Sequence, residues 1–121
     1  MSKTTLFIYG TLKRGQKSHH LLAGQDFLGG ATTMPLYRLH HLGWHPGMVH
    51  DDDNGLDVRG ELWAVDEAAL AKLDRYEGVD SSWYTREDVA VRDCFQTVQA
   101  YFYNGEIPAE SRTGAEWPFA V

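Results

Sequence analysis

From Phe27 to His50 the chain is broken into short pieces by Gly29, Gly30, Pro35, Gly43, Pro46 and Gly47. Punctuation that dense reads as bent strands with bulges, the way a small barrel turns its corners. The stretches on either side agree. Thr5 to Tyr9 (TLFIY) is a continuous β-favouring run that stops at Gly10, which suits a central strand covered on both faces. Val58 to Val65 alternates, with Val58, Gly60, Leu62 and Ala64 on one face and Arg59, Glu61, Trp63 and Val65 on the other. Tyr84 to Val91 and Val98 to Tyr103 are rich in β-branched and aromatic residues. One segment reads as a helix: Asp66 is a good N-cap for Glu67 to Tyr76, and Gly78 can end it in the left-handed conformation. Ser18 is expected to cap a short helical turn through Leu22, and Asp51 to Gly55 to form a hairpin turn. The segment containing Pro108 and Pro118 reads as an irregular tail. The expected fold is α+β: a small bent mixed β-barrel with one main helix and short helical turns, in a single domain over residues 1–121.

Composition narrows the function. With 43% hydrophobic and 23% charged residues the chain can bury a core, so disorder is excluded. Eleven basic residues against 17 acidic ones, with Lys13, Arg14 and Lys17 the only local basic cluster, argue against nucleic acid as a partner. No apolar run approaches the roughly 20 residues that span a bilayer, so no membrane partner is expected. The lone Cys94 and an N-terminus without a secretory core point to a reducing, cytoplasmic compartment.

One residue sits where it should not. On a helix turning about 100° per residue, Leu70 and Leu73 mark the apolar side, and Glu77 falls within roughly 30° of the middle of that stripe. A carboxylate on a buried face must be paired or have its pKa raised by desolvation, and the negative end of the helix dipole pushes the same way. That is how a general base is tuned. The plain alternative is a helix that frays before Gly78 and leaves Glu77 in water. The loop from Tyr9 to Gly15 is the second element, because a strand ending in glycine before a helical turn exposes successive backbone N–H groups able to hold an oxygen. It lacks the Lys-Ser/Thr of a phosphate-binding loop and the spacing of a dinucleotide fingerprint.

Phe7 to Gln16 (FIYGTLKRGQ), Gly60 to Val65 (GELWAV), Leu73 to Gly78 (LDRYEG) and Tyr84 to Val91 (YTREDVAV) together resemble the γ-glutamylcyclotransferase-like family, particularly its γ-glutamylamine cyclotransferase branch, over roughly residues 5 to 103. The resemblance implies a bent barrel with a cavity near its mouth and Glu77 as the catalytic acid/base. It further implies that Tyr9, Gly10, Thr11 and Leu12 bind substrate and that Tyr84 lines the pocket. Arg86, on the face of Tyr84, and Tyr103, on the face of Tyr101, are further pocket candidates; Arg86 can pair with Glu77 or with a substrate carboxylate. The implied activity is conversion of a γ-glutamyl amine or amino acid to 5-oxoproline with release of the amine, a cyclising lyase or acyl transfer with a small-molecule substrate and no cofactor. The alternative is a module that binds a metabolite in the same cavity without turnover.

Other features invite chemistry without the pattern it needs. His40, His41, His45 and His50 have no zinc-site spacing, so no metal is expected, and a histidine-dependent metal hydrolase ranks last. The segment from His50 to Glu61 has histidine at the first position of a calcium loop, where aspartate is required. Cys94 has no activating partner in sequence, and Ser81 and Ser82 lack a nucleophile elbow.

Overall fold

A computed structural model describes residues 2–119. Eight strands, β1 (Thr4–Ile8), β2 (Asp26–Thr32), β3 (Tyr37–His41), β4 (Pro46–His50), β5 (Arg59–Val65), β6 (Tyr84–Asp88), β7 (Gln99–Tyr103) and β8 (Thr113–Gly114), accompany one α-helix, α1 (Glu67–Tyr76). Short 3-10 turns occupy His19–Leu22 and Val79–Ser81. The strands form one curled mixed sheet in the order β2-β5-β1-β7-β4-β3-β8, with β6 on the free side of β7. The fold is therefore α+β, as the glycine and proline spacing and the single helix predict. No helix of the described residues is long and apolar enough to cross a membrane.

The curl originates at β7. Strand β6 pairs with all five residues of β7, from Asp88↔Gln99 to Tyr84↔Tyr103. The other edge is shared: β1 meets it in parallel at Leu6↔Gln99, and β4 meets it in parallel at Met48↔Phe102. Two strands on one edge must part, and the fork between the end of β1 and the start of β4 leaves an opening that backbone pairing does not fill.

Burial explains why β1 reads as an unbroken apolar run. Leu6 and Ile8 face one core with Leu22, Trp63, Val65 and Leu73, beneath α1; Phe7 faces the other, with Tyr37, Leu39, Met48 and Phe102. Both sides of β1 are covered, so alternation has no polar phase to show. In β2 the register shifts between Phe27 and Gly29, a bulge at the glycines that marks a bend.

α1 begins as its sequence requires, with the Asp66 carboxylate accepting the Ala69 N–H at 2.8 Å. It ends at Glu77, followed by Gly78 at φ 68° in the left-handed region. Three local expectations fail. Ser18 does not cap its turn, because its hydroxyl is held by Tyr76 at 2.7 Å instead. Asp51–Gly55 turns the chain but makes no hairpin: β4 lies beside β3 and β7, β5 beside β1 and β2, so the segment crosses from one part of the sheet to another. The tail is not wholly irregular, since Thr113–Gly114 pairs with β3 and Trp117 packs into the core.

Gly60 in β5 lies tight against β1. A Cβ there would lie 2.7 Å from the Phe7 ring and collide with the Ile8 carbonyl. Gly60→Ala is therefore expected to lower the unfolding free energy by about 2–3 kcal/mol, read from the urea midpoint at unchanged m-value.

Candidate active site

The opening at the fork of β7 is a cavity of about 260 Å3, near the lower end of small-molecule sites. Its wall is contributed by the end of β1 with the Tyr9–Leu12 loop, by the β3–β4 turn, by the C-terminus of α1, and by Tyr84 and Tyr101 from β6 and β7. The sequence-predicted residues Glu77, Tyr9, Gly10, Thr11, Leu12 and Tyr84 thus lie on one cavity.

The loop is brought close to β4 by the absence of a side chain at Gly10, where a Cβ would approach Pro46 Cγ to 2.8 Å. Among the described residues, the backbone N–H groups of Gly10, Thr11 and Leu12 have no backbone acceptor. They are donors the fold leaves unused. The Tyr9 hydroxyl, by contrast, is consumed by the scaffold: it donates to the Tyr101 carbonyl at 2.7 Å and accepts from the Met48 N–H at 3.2 Å, bolting the fork together. Its burial holds its pKa well above the usual value.

Glu77 is the last residue before the left-handed turn, with its N–H bonded to the Leu73 carbonyl at 2.9 Å. The frayed-end alternative does not hold, because Gly78 stops the helix one residue later and turns the half-buried carboxyl against the cavity. Among the described residues no side chain hydrogen-bonds or ion-pairs with this carboxylate. Removal from water pushes its pKa up to about 8. The acid and base forms are then both accessible near neutrality, the condition general acid–base work requires.

The surroundings are uncharged. Tyr84 is buried; its hydroxyl donates to the Pro46 carbonyl at 3.1 Å and lies 3.1 Å from His45 Nδ1. Burial first, then the nearby Glu77 charge, raise the Tyr84 pKa, and burial lowers that of His45, so both side chains are neutral at pH 7. Tyr101 donates to Asp74 Oδ1 at 2.6 Å and is likewise held protonated, by burial and then by that bond.

Arg86 and Tyr103 stand outside the cavity wall. Arg86 does not reach Glu77: Asp74, one helical turn earlier, takes its guanidinium in two bonds of 2.9 and 3.1 Å, and Gln99 takes another at 2.5 Å. Tyr103 packs edge-on against Tyr84 with centroids 5.4 Å apart, one layer behind the wall.

Tyr76 also belongs to the site, though nothing in the sequence singles it out. Its hydroxyl bonds Ser18 Oγ at 2.7 Å and Thr11 Oγ1 at 3.3 Å, tying the residue before Glu77 to the loop. Local periodicity carries no sign of this, since it joins positions 58 and 65 residues apart. Of the histidine group only His45 reaches the cavity; His40 bonds Ser111, His50 bonds Glu87, and His41 leans on Trp117. No group of three metal-ligating side chains occurs among the described residues. Cys94 is half-buried against the other core.

Comparison with known proteins follows the same lines. Residues 6–119 match the family described as gamma-glutamyl cyclotransferase, AIG2-like. A Vibrio cholerae protein provisionally named a gamma-glutamylcyclotransferase is 38% identical over 98 residues, covering 81% of this chain and 80% of that one. The gammaglutamylamine cyclotransferase of Rattus norvegicus is 38% identical over 94 residues, 72% of this chain and 62% of its own length. The crystal structure of an AIG2-like protein from Mus musculus superposes with a TM-score of 0.74 at 29% identity, covering 91% of this chain and 82% of that one.

Proposed function

The chain belongs to the gamma-glutamyl cyclotransferase, AIG2-like family, and from that premise we propose that it converts a γ-glutamyl amide to 5-oxoproline and a free amine, with Glu77 as the proton carrier. The observation that supports this most is a carboxyl with no ionic partner among the described residues and a pKa near 8, on one small cavity with a loop whose N–H donors are unused among those residues.

Each step uses a group of this chain. The ionised Glu77 takes a proton from the substrate α-ammonium. The freed amine attacks the γ-carbonyl carbon of its own molecule, closing the five-membered ring, while the carbonyl oxygen takes up the displaced electron pair. The N–H groups of Gly10, Thr11 and Leu12 are donors of the kind that stabilise such an oxyanion. As the carbonyl re-forms, the bond to the departing nitrogen breaks and protonated Glu77 gives its proton to that nitrogen; the second proton of the ring nitrogen then passes through the ionised Glu77 to the freed amine, which leaves as the ammonium. No water is consumed and the enzyme ends as it began. Because nucleophile and target share one molecule, holding the chain curled supplies a large part of the rate. The chemistry asks for no cofactor.

A module that only bound a carboxylate-bearing metabolite would gain nothing from an unpaired carboxyl in the same cavity. The substrate is a small molecule, and the acidic balance keeps nucleic acid off the list of partners. The lone thiol fits a reducing, cytoplasmic setting.

The direct test is 5-oxoproline release from a panel of γ-glutamyl amines and γ-glutamyl amino acids. At least one is expected to turn over, and an inert wild-type protein across the panel would remove the cyclotransferase reading. Tyr76→Phe tests the tie between helix and loop. Loss of its hydroxyl is expected to cost about 1 kcal/mol of stability in urea titration and to lower kcat more than it raises KM, because the bond spaces Glu77 from the loop.

A further inference from the structure

Two large aromatic side chains at the cavity keep more than half their surface in water: Trp44 is 58% exposed and Trp83 60%. Groups of that size are normally withdrawn. Each is presented by a backbone that holds it out. Trp44 belongs to the turn at 42–45, closed by a 3.0 Å bond from the Leu42 N–H to the His45 carbonyl, with Gly43 at φ 112°. Its ring rests on that of His45 with centroids 4.2 Å apart. Trp83 follows Ser82, a non-glycine residue held at φ 62° in the left-handed region. Its N–H donates to the Gly78 carbonyl at 3.0 Å and its carbonyl accepts the Asn104 N–H at 3.1 Å. A third group joins them: the Lys17 ammonium lies 4.8 Å from the centroid of the Trp44 ring and makes no ion pair among the described residues.

The cyclotransferase reading, on which this inference rests, places the γ-glutamyl part of the substrate against Glu77 and the Tyr9–Leu12 loop. The part that departs must then lie toward the open side of the cavity, where the two tryptophans stand. We propose that Trp44, Trp83 and Lys17 form the leaving-group subsite and select γ-glutamyl amino acids whose released amino acid carries an aromatic or large apolar side chain and a free carboxylate. The rings supply apolar area and aromatic contact to the side chain. Lys17 supplies the charge that distinguishes an amino acid from a simple amine.

Three probes separate the contributions: L-γ-glutamyl-L-phenylalanine, L-γ-glutamyl-L-alanine and γ-glutamyl-phenethylamine. Affinity is measured by calorimetry in Glu77→Gln, in which turnover is suppressed, and kcat/KM in the wild type. The phenylalanine compound is expected to exceed the alanine compound about tenfold in both measurements. It should exceed the phenethylamine compound about threefold at low ionic strength, a margin that salt erodes. Trp44→Ala and Trp83→Ala should each shrink the first ratio, and Lys17→Gln should abolish the second while leaving the first. Both tryptophans are solvent-exposed, so thermal melts of the alanine variants are expected to match the parent and exclude misfolding as the cause. Equal affinity for the phenylalanine and alanine compounds, or ratios untouched by the substitutions, would overturn the subsite. The cyclotransferase reading fails separately, when no probe yields 5-oxoproline in the wild type, and the binding comparison stays readable in that event.

Discussion

Glu77→Gln is expected to leave a folded protein that releases 5-oxoproline about a thousandfold more slowly, within the range that loss of a positioned acid/base produces. The amide keeps the shape of the carboxyl but can neither take nor return a proton. The same substitution is expected to stabilise the fold, with a pH dependence that identifies the cause. The folded protein holds the Glu77 proton up to about pH 8, whereas a glutamate free in water loses it near 4.5. Between those values the unfolded chain has ionised and the folded one has not. Stability therefore falls as pH rises through that window and is unaffected by this group below it. Glutamine removes the loss. At pH 8 the variant should be more stable than the wild type by about 4 kcal/mol, and near pH 4 the two should coincide in urea titrations. A variant that is slower but equally stable at both values would mean that desolvation does not act on this carboxyl.

The second large effect is expected at Gly10. A methyl group there would press on Pro46, at 2.8 Å from Cγ and 3.2 Å from Cδ, and the pyrrolidine ring has little freedom to yield. The loop must move away from β4, carrying the N–H groups of Thr11 and Leu12 with it. A displacement near 1 Å at a reacting centre costs about a hundredfold in rate, so kcat/KM of Gly10→Ala should fall by that order. Stability should fall by only about 1–2 kcal/mol. Measuring kcat/KM and the urea midpoint on one preparation separates a displaced loop from a damaged fold. Activity that survives within a factor of two would show that the loop does not hold the reacting oxygen.

What was legible in the sequence was written in local physics. Asp66 reads as a cap because the N–H groups it satisfies are three residues away, and Gly78 reads as a stop because only its own conformation is at issue. Glu77 could be singled out because helical geometry alone sets it against the apolar stripe. The unbroken β1 run announces burial on two faces, which the two cores then supply.

What was hidden depends on partners distant in the chain. Ser18 has the right chemistry for a cap, yet Tyr76 takes its hydroxyl. Arg86 has the right face, yet Asp74 holds its guanidinium. Asp51–Gly55 has turn chemistry, but turn chemistry says nothing about which strands the turn joins. Above all, the cavity exists because β1 and β4 share one edge of β7, a fact carried by pairings at Gln99 and Phe102. No local pattern at 44–46 or 83 marks Trp44, His45 or Trp83 as lining one cavity with Gly10.

On the proposed function, desolvation tunes the Glu77 carboxyl for proton transfer. Carbon-13 NMR titration of its side-chain carboxyl in the free protein tests that most directly, with Glu77→Gln used to assign the resonance. The midpoint is expected at about pH 8. Below that midpoint kcat/KM should fall about tenfold per pH unit, since the base form is the one that accepts the α-ammonium proton. A midpoint near the ordinary glutamate value of about 4.3 would rule out Glu77 as the proton carrier, because such a carboxylate is neither desolvated nor able to hold a proton for the departing amine.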